Sequence, residues 1–272
     1  MTAGPLTAGP LTGALVAVVA GIFGLLIGSF LNVVVHRVPA GVSVVRPRSA
    51  CPSCGHQLRS RDTVPVASWI LLGGRCRDCE ATVPARYPAV ELATGLLFAA
   101  VTLTHWRSGA LPALLWVTAA GVALFVIDLD THRLPDAIVL PSYPVVAVLL
   151  LAGGLVTGDL PVARALASAA VWLGLYGLLW FGTQGRGMGL GDVKLAGVLG
   201  LVLGWLGWGP SVLGLFAGFA VGAVVGVGLL ASGRVSRRTP IAHGPFLLAG
   251  AAIGLFAGAA VWHGWLAVTG FG

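Results

Sequence analysis

Eight apolar runs separated by short polar segments constrain this chain more than any other feature. They cover residues 11–35, 88–105, 110–127, 137–156, 161–181, 192–208, 211–231 and 245–268. A bilayer core about 30 Å thick takes about 20 mostly apolar residues of helix. In hydrocarbon, every backbone N–H and C=O needs a partner within the protein. Repeated runs of this length therefore predict an all-α polytopic membrane protein with about eight transmembrane helices. The sixth run is the weakest of these, because the glycine-rich segment at 207–210 leaves it short. Composition agrees. Only 9% of residues are charged, against about 25% in soluble domains, so a water-facing shell cannot be built from this sequence. The 41 glycines suit close helix–helix approach in lipid, where small residues form the contacts. Residues 1–13 hold no Lys or Arg, so no positive n-region precedes the first run, which is expected to be retained as a span rather than removed as a signal peptide.

The basic residues orient the spans. The net charge of +7 would otherwise point to nucleic acid, but the arginines border apolar runs and read as topology signals, so no nucleic-acid partner is expected. The loop 36–87 carries eight arginines. With that loop in the cytoplasm, Arg133, Arg186, Lys194, Arg234, Arg237 and Arg238 also fall inside, and only Arg107 and Arg164 fall outside. Fourteen of the 16 basic residues thus agree with one orientation, with both termini outside the cytoplasm. The expected organisation is a first transmembrane helix over 1–35, a cytoplasmic insert over 36–87 and a membrane helix bundle over 88–272.

All four cysteines lie in the insert, as Cys51-Pro-Ser-Cys54 and Cys76-Arg-Asp-Cys79. Two such pairs present four thiolates to one tetrahedral Zn²⁺. A reducing cytoplasm disfavours structural disulfides, and closed Cys₄ coordination leaves no position for a reacting water. The preferred reading is a structural zinc that holds together a loop too small to bury its own core. Redox-active thiols and an empty site are the alternatives. His56 reads as a solvated side chain.

Ionisable groups at membrane depth are costly, which makes them functional candidates. Five of the nine acidic residues lie at or near apolar spans on the predicted cytoplasmic side: Glu91, Asp128, Asp130, Asp136 and Asp192. Asp128 closes the third run in Ile127-Asp128-Leu129-Asp130-Thr131-His132-Arg133-Leu134-Pro135-Asp136. Asp192 opens the sixth in Gly189-Leu190-Gly191-Asp192-Val193-Lys194. Asp130 reads as solvated loop, and Asp136 as the cap of the next helix. By spacing alone, Asp192 is as well explained by a helix cap as by chemistry. Glu91, about one turn into the second span, reads either as a paired or snorkelling carboxylate or as an accessory functional residue.

Taken in order, these motifs resemble those of the type IV prepilin peptidases, membrane aspartyl proteases with a GxGD motif. The likeness runs through Gly28-Ser29-Phe30-Leu31-Asn32 to Pro39, the two cysteine pairs, Arg61-Asp62-Thr63-Val64-Pro65 to Trp69, Tyr87-Pro88-Ala89-Val90-Glu91, the Asp128 segment and Gly189-Leu190-Gly191-Asp192. The resemblance implies removal of the leader from prepilins or pseudopilins at the cytoplasmic face of the inner membrane. It also implies N-methylation of the new terminus with S-adenosylmethionine. It makes Asp128 and Asp192 the catalytic pair. Gly189 and Gly191 would let an extended substrate backbone lie beside that pair, with Lys194 also expected near the substrate and Glu91 the candidate accessory residue. No glycine-rich fingerprint after a strand marks a cofactor pocket.

Two carboxylates sharing one proton supply both the base and the acid that amide hydrolysis needs. Helix dipoles predict an asymmetry: Asp192 begins a helix, which favours an anion, and Asp128 ends one, which disfavours it. On this reading Asp128 holds the shared proton more often. The runner-up function is an ion- or proton-coupled transporter with a zinc-stabilised loop, which expects acids near mid-membrane. A third is a non-catalytic assembly factor, which does not need both aspartates.

Overall fold

The computed structural model describes residues 10–186, 188–233, 236 and 242–270. Arg234, Arg237 and Arg238, which bear on the orientation, lie outside the described residues, as does Gly187 beside the GxGD motif. Each of the eight apolar runs forms a helix: α1 (Pro10–Arg37), α3 (Arg86–His105), α4 (Leu111–Thr131), α5 (Asp136–Thr157), α6 (Val162–Gly182), α7 (Leu190–Leu206), α8 (Trp208–Ala231) and α9 (Gly244–Thr269). A short α2 (Ala67–Leu71) lies in the loop after α1. Among the described residues, extended pairing is limited to two isolated bridges.

Seven of the helices are long and apolar enough to cross a membrane. The eighth, α7, has 17 residues. It stops at Gly207, whose φ of 154° and ψ of 168° belong to a region open essentially to glycine alone. Helix α8 begins at the next residue, three positions ahead of the expected boundary. Pro210 is tolerated there because its missing N–H falls in the first turn. The short α7 packs against α5, α6, α8 and α9. Buried residues include Leu195, Ala196, Val198, Leu199, Val202 and Leu203. A helix enclosed by protein need not match the thickness of the lipid.

The chain divides into two compact units, Met1–Leu111 and Pro112–Gly272. In the first, α1 and α3 pack together over glycines that admit no side chain. A Cβ on Gly24 would lie 2.8 Å from Phe98 Cβ, and one on Gly28 would lie 2.6 Å from Glu91 Cα. In the second, α6 pairs with α7 and α8 with α9, again through small residues. Ser168, Trp172 and Tyr176 form a buried stripe on α6. Ser168 Oγ donates to Gly200 O at 2.7 Å, and Trp172 Nε1 donates to Ser211 Oγ at 3.1 Å. The outward faces stay apolar, with Val18 on α1 and Phe216 on α8 both well exposed, as lipid contact requires.

Candidate functional site

In the second unit, Asp128 ends α4 and Asp192 lies in the first turn of α7, and both are buried. The two carboxylates are close enough to interact electrostatically. Each is held by one backbone amide through the same kind of contact. Gly189 N–H donates to Asp192 Oδ2 at 3.0 Å, and Gly244 N–H donates to Asp128 Oδ2 at 3.0 Å. Gly189 is the N-cap of α7 and Gly244 the first residue of α9. Both donors are therefore among the amides that a helix start leaves without an intrahelical partner.

This geometry alters the local reading in two respects. Asp192 is the third helical residue rather than the cap, and its carboxylate reaches back to the cap amide as in half of a capping box. The dipole contrast expected between the start of α7 and the end of α4 meets an opposing contribution at Asp128, because the start of α9 donates the Gly244 N–H to it. Asp136, expected as a cap, is the first residue of α5, with Pro135 ahead of it. Its carboxylate accepts from Lys194 Nζ at 2.8 Å through both oxygens. The Lys194 ammonium is thus engaged across the starts of α5 and α7.

The two glycines of the motif differ in their tasks. A Cβ on Gly191 would lie 2.8 Å from Leu134 Cβ, whereas one on Gly189 would meet nothing closer than Asp192 Oδ2 at 3.7 Å. Leu134 also approaches Gly244, so it sits between the starts of α7 and α9. The chain reaches it by leaving α4 through His132 in the left-handed region, φ 52°.

In the first unit the four cysteine sulfurs all lie within 4.8 Å of one another. The Cys51 and Cys79 sulfurs are 3.8 Å apart. A tetrahedral site with metal–sulfur bonds of about 2.3 Å sets its sulfurs about 3.8 Å apart, so the cluster fits a metal. The two knuckles are built alike. Cys51 N–H donates to His56 O at 2.9 Å, and Cys76 N–H donates to Ala81 O at 2.8 Å. Gly55 and Glu80 occupy matching positive-φ positions. The backbone N–H groups of Cys54 and Ser53 pull the Cys51 thiol down to about 6. Cys79, despite the amide of Ala81, is pushed up to about 12 by burial and by its neighbouring thiols. Four sulfurs this close become thiolates together only with a shared cation between them. Around them, Arg59 pairs with Asp78 and Arg77 with Asp62. Exposed His56 stands 4.0 Å from Asp78.

Glu91 belongs to this unit. Its Oε2 accepts the Val66 N–H at 2.7 Å. Val66 has φ 61°, an outlier for a β-branched residue, so the carboxylate of α3 fixes a strained point of the loop. A cavity of about 310 Å³ opens beside it, lined among others by Asn32, His36, Asp62, Trp69, Tyr87 and Glu91. Sequence reasoning did not find Gly244, Leu134, Val66, Tyr176 or His243. The first three act through backbone position or packing, which leaves no chemical signature. Tyr176 lies inside an apolar helix, and His243 borders the segment outside the described residues.

Residues 22–105 match the family described as the bacterial peptidase A24 N-terminal domain, and residues 113–230 match the type IV leader peptidase family. These two matches fall on either side of the division between the structural units. The chain is 39% identical to a prepilin leader peptidase/N-methyltransferase of Aeromonas hydrophila over 83% of this chain and 85% of that protein. It is 35% identical to the protein of that name from Pseudomonas aeruginosa, over 92% and 93%. The Myxococcus xanthus protein is 42% identical over 84% of this chain and 67% of its own length. No solved structure matches.

Proposed function

Since the chain belongs to the type IV leader peptidase family, we propose that it is a multi-pass protein of the bacterial inner membrane that cleaves the leader from prepilins or pseudopilins and N-methylates the new terminus. The observation that carries the peptidase reading is the buried pair Asp128 and Asp192, each held through Oδ2 by one helix-start amide. Like charges at close range cannot both ionise, so the pair shares a proton and titrates as a unit. The ionised carboxylate takes a proton from water as the oxygen attacks the scissile carbonyl. The protonated carboxyl then gives its proton to the departing nitrogen. Both Oδ2 atoms are engaged by backbone amides, which fixes the carboxylates without neutralising either. Asp192 Oδ1 is buried and without a protein partner, which leaves it open to a group of the incoming substrate. The positive-inside pattern supports a cytoplasmic face for this chemistry.

Cys51, Cys54, Cys76 and Cys79 would hold a structural Zn²⁺, which cross-links the two knuckles and leaves no open coordination position. The cavity of the first unit is the place for S-adenosylmethionine. Its volume suits a small ligand, and its lining carries the Trp69 and Tyr87 rings beside Asp62 and Glu91, with Arg37, Arg75 and Arg77 around them; the aromatic faces are the surface that a sulfonium cation favours. When bound, that group supplies an electrophilic methyl for the free amine. Around it, Glu91 holds the Val66 segment and the Arg77–Asp62 pair holds the knuckle. Asp128→Asn and Asp192→Asn each remove the shared proton chemistry. Inserted variants are expected to lose roughly a thousandfold or more in cleavage of a purified prepilin, followed by mass. Wild-type processing by either variant overturns the reading.

A further inference from the structure

The described residues contain four buried side-chain polar atoms without a hydrogen-bond partner: Asp192 Oδ1, Tyr176 Oη, His243 Nε2 and Thr102 Oγ1. Three of them belong to one neighbourhood in the second unit. The Tyr176 ring stacks on Phe219 with centroids 5.1 Å apart and lies 5.8 Å from the His243 ring. Tyr176 is close enough to Asp192 to feel its charge. His243 immediately precedes Gly244, the donor to Asp128. The contrast along α6 is informative. Ser168 and Trp172, the neighbouring members of the same stripe, have hydrogen-bond partners within the protein. Tyr176 is one turn further along, fully buried and unpartnered. A lone donor or acceptor in such a place bears its full desolvation cost, so three side by side point to a polar group that arrives with the substrate.

We propose that Tyr176 Oη, His243 Nε2 and Asp192 Oδ1 form a subsite that binds the main chain of the substrate peptide next to the scissile bond. This rests on the reading of Asp128 and Asp192 as the proteolytic pair. The chemistry of the three atoms matches a peptide backbone. The phenol donates to a carbonyl. Burial holds the imidazole of His243 below its usual range, and a neutral ring offers a donor on one nitrogen and an acceptor on the other. An extended backbone presents both complements. Phe219 and Phe246 flank His243 and give the subsite apolar walls, against which a backbone hydrogen bond is stronger than in water. Tyr176 and His243 are positioning residues here, since they align the amide that the aspartates cleave.

The test is Tyr176→Phe, which removes only the unpartnered oxygen. Cleavage efficiency is expected to fall roughly tenfold or more, with the melting temperature unchanged or raised. His243→Phe is expected to behave alike, and His243→Gln, which keeps a polar nitrogen at the same reach, to recover most of the loss. A synthetic peptide spanning the cleavage site, with each flanking amide replaced in turn by an ester, localises the contact. The His243→Phe penalty should collapse to under about threefold for at least one ester, which lacks the N–H that the ring nitrogen accepts. Wild-type efficiency in both Tyr176→Phe and His243→Phe overturns the subsite, as does a loss that follows the fall in melting temperature. A penalty that is the same in every ester assigns the three atoms to water and overturns it too. If Tyr176→Phe does not insert, the two His243 variants decide the matter. Asp192→Asn run alongside separates the two readings. An active Asp192→Asn enzyme refutes the proteolytic pair, whereas an inactive one beside an unaffected Tyr176→Phe refutes the subsite alone.

Discussion

The two units of this chain handle polar groups in opposite ways. In Met1–Leu111 the working groups are side chains that satisfy one another: four clustered thiols, the Arg59–Asp78 and Arg77–Asp62 pairs. Their partners are specific residue types in a loop with little apolar core. In Pro112–Gly272 the carboxylates of Asp128 and Asp192 are buried and accept from backbone amides at two helix starts. A side-chain partner with the opposite charge would quench a carboxylate. A helix-start amide orients it and leaves its proton chemistry intact. On the proposed reading, the metal cluster of the first unit holds a loop together and the second unit keeps two acids reactive.

The sharpest way to break this comparison is to remove the thiols. Cys76→Ser, or treatment with a strong chelator, should release about one zinc per chain by atomic emission. It should also speed tryptic cleavage within residues 38–85 by roughly a hundredfold, since metal binding supplies most of such a loop's folding free energy. N-methylation should be lost with it. If the loop stays protected after metal loss, its side-chain network holds it without the cluster.

The next effect belongs to the second unit. Gly191→Ala places a methyl against Leu134 and is expected to cost about 1–3 kcal/mol, with activity down roughly tenfold. Gly189→Ala keeps the amide and meets nothing tight, so it should lose no more than about threefold. Equal loss in the two variants contradicts the separate tasks assigned to these glycines.

Smaller still is the effect of Glu91→Ala, which abandons the Val66 amide and should destabilise the first unit by about 1–3 kcal/mol. Methylation should fall while cleavage of the same prepilin continues. Glu91→Gln retains an acceptor and should recover most of the loss. Loss of cleavage rather than methylation would tie Glu91 to the aspartates.

The smallest effect concerns acid stability. The Arg77 guanidinium holds the Asp62 carboxyl below its usual range. The stabilisation is therefore present above the unfolded value near 3.9 and fades as pH falls through the lower folded value. Because Arg77 is partly exposed, Asp62→Asn should cost under about 1 kcal/mol at neutral pH, and the variant should unfold with a weaker dependence on pH below about 4.

Much of the molecule was legible in advance because its constraints repeat. The spans follow from runs of apolar residues, and the helix that fell short of a full crossing is the one whose glycines stand at 207 and 209. Asp192 was ambiguous in isolation, and the structure shows why: it serves the helix start and faces the interior at once. The cap role of Gly189, the first-turn place of Asp136 and the start of α8 at Trp208 shifted by a few residues. Such boundaries depend on cap geometry rather than on periodicity.

The sequence by itself marked the eight long apolar helices, the four cysteines and the two carboxylates, since each is written in a residue type or a period. Only the tertiary structure decided what those carboxylates touch. Gly244 lies 116 residues from Asp128 and contributes nothing but a main-chain N–H, a group that every residue except proline owns. No pattern of side chains announces it. It becomes a partner because the fold brings the start of α9 to the end of α4, where its amide opposes the field of that helix end.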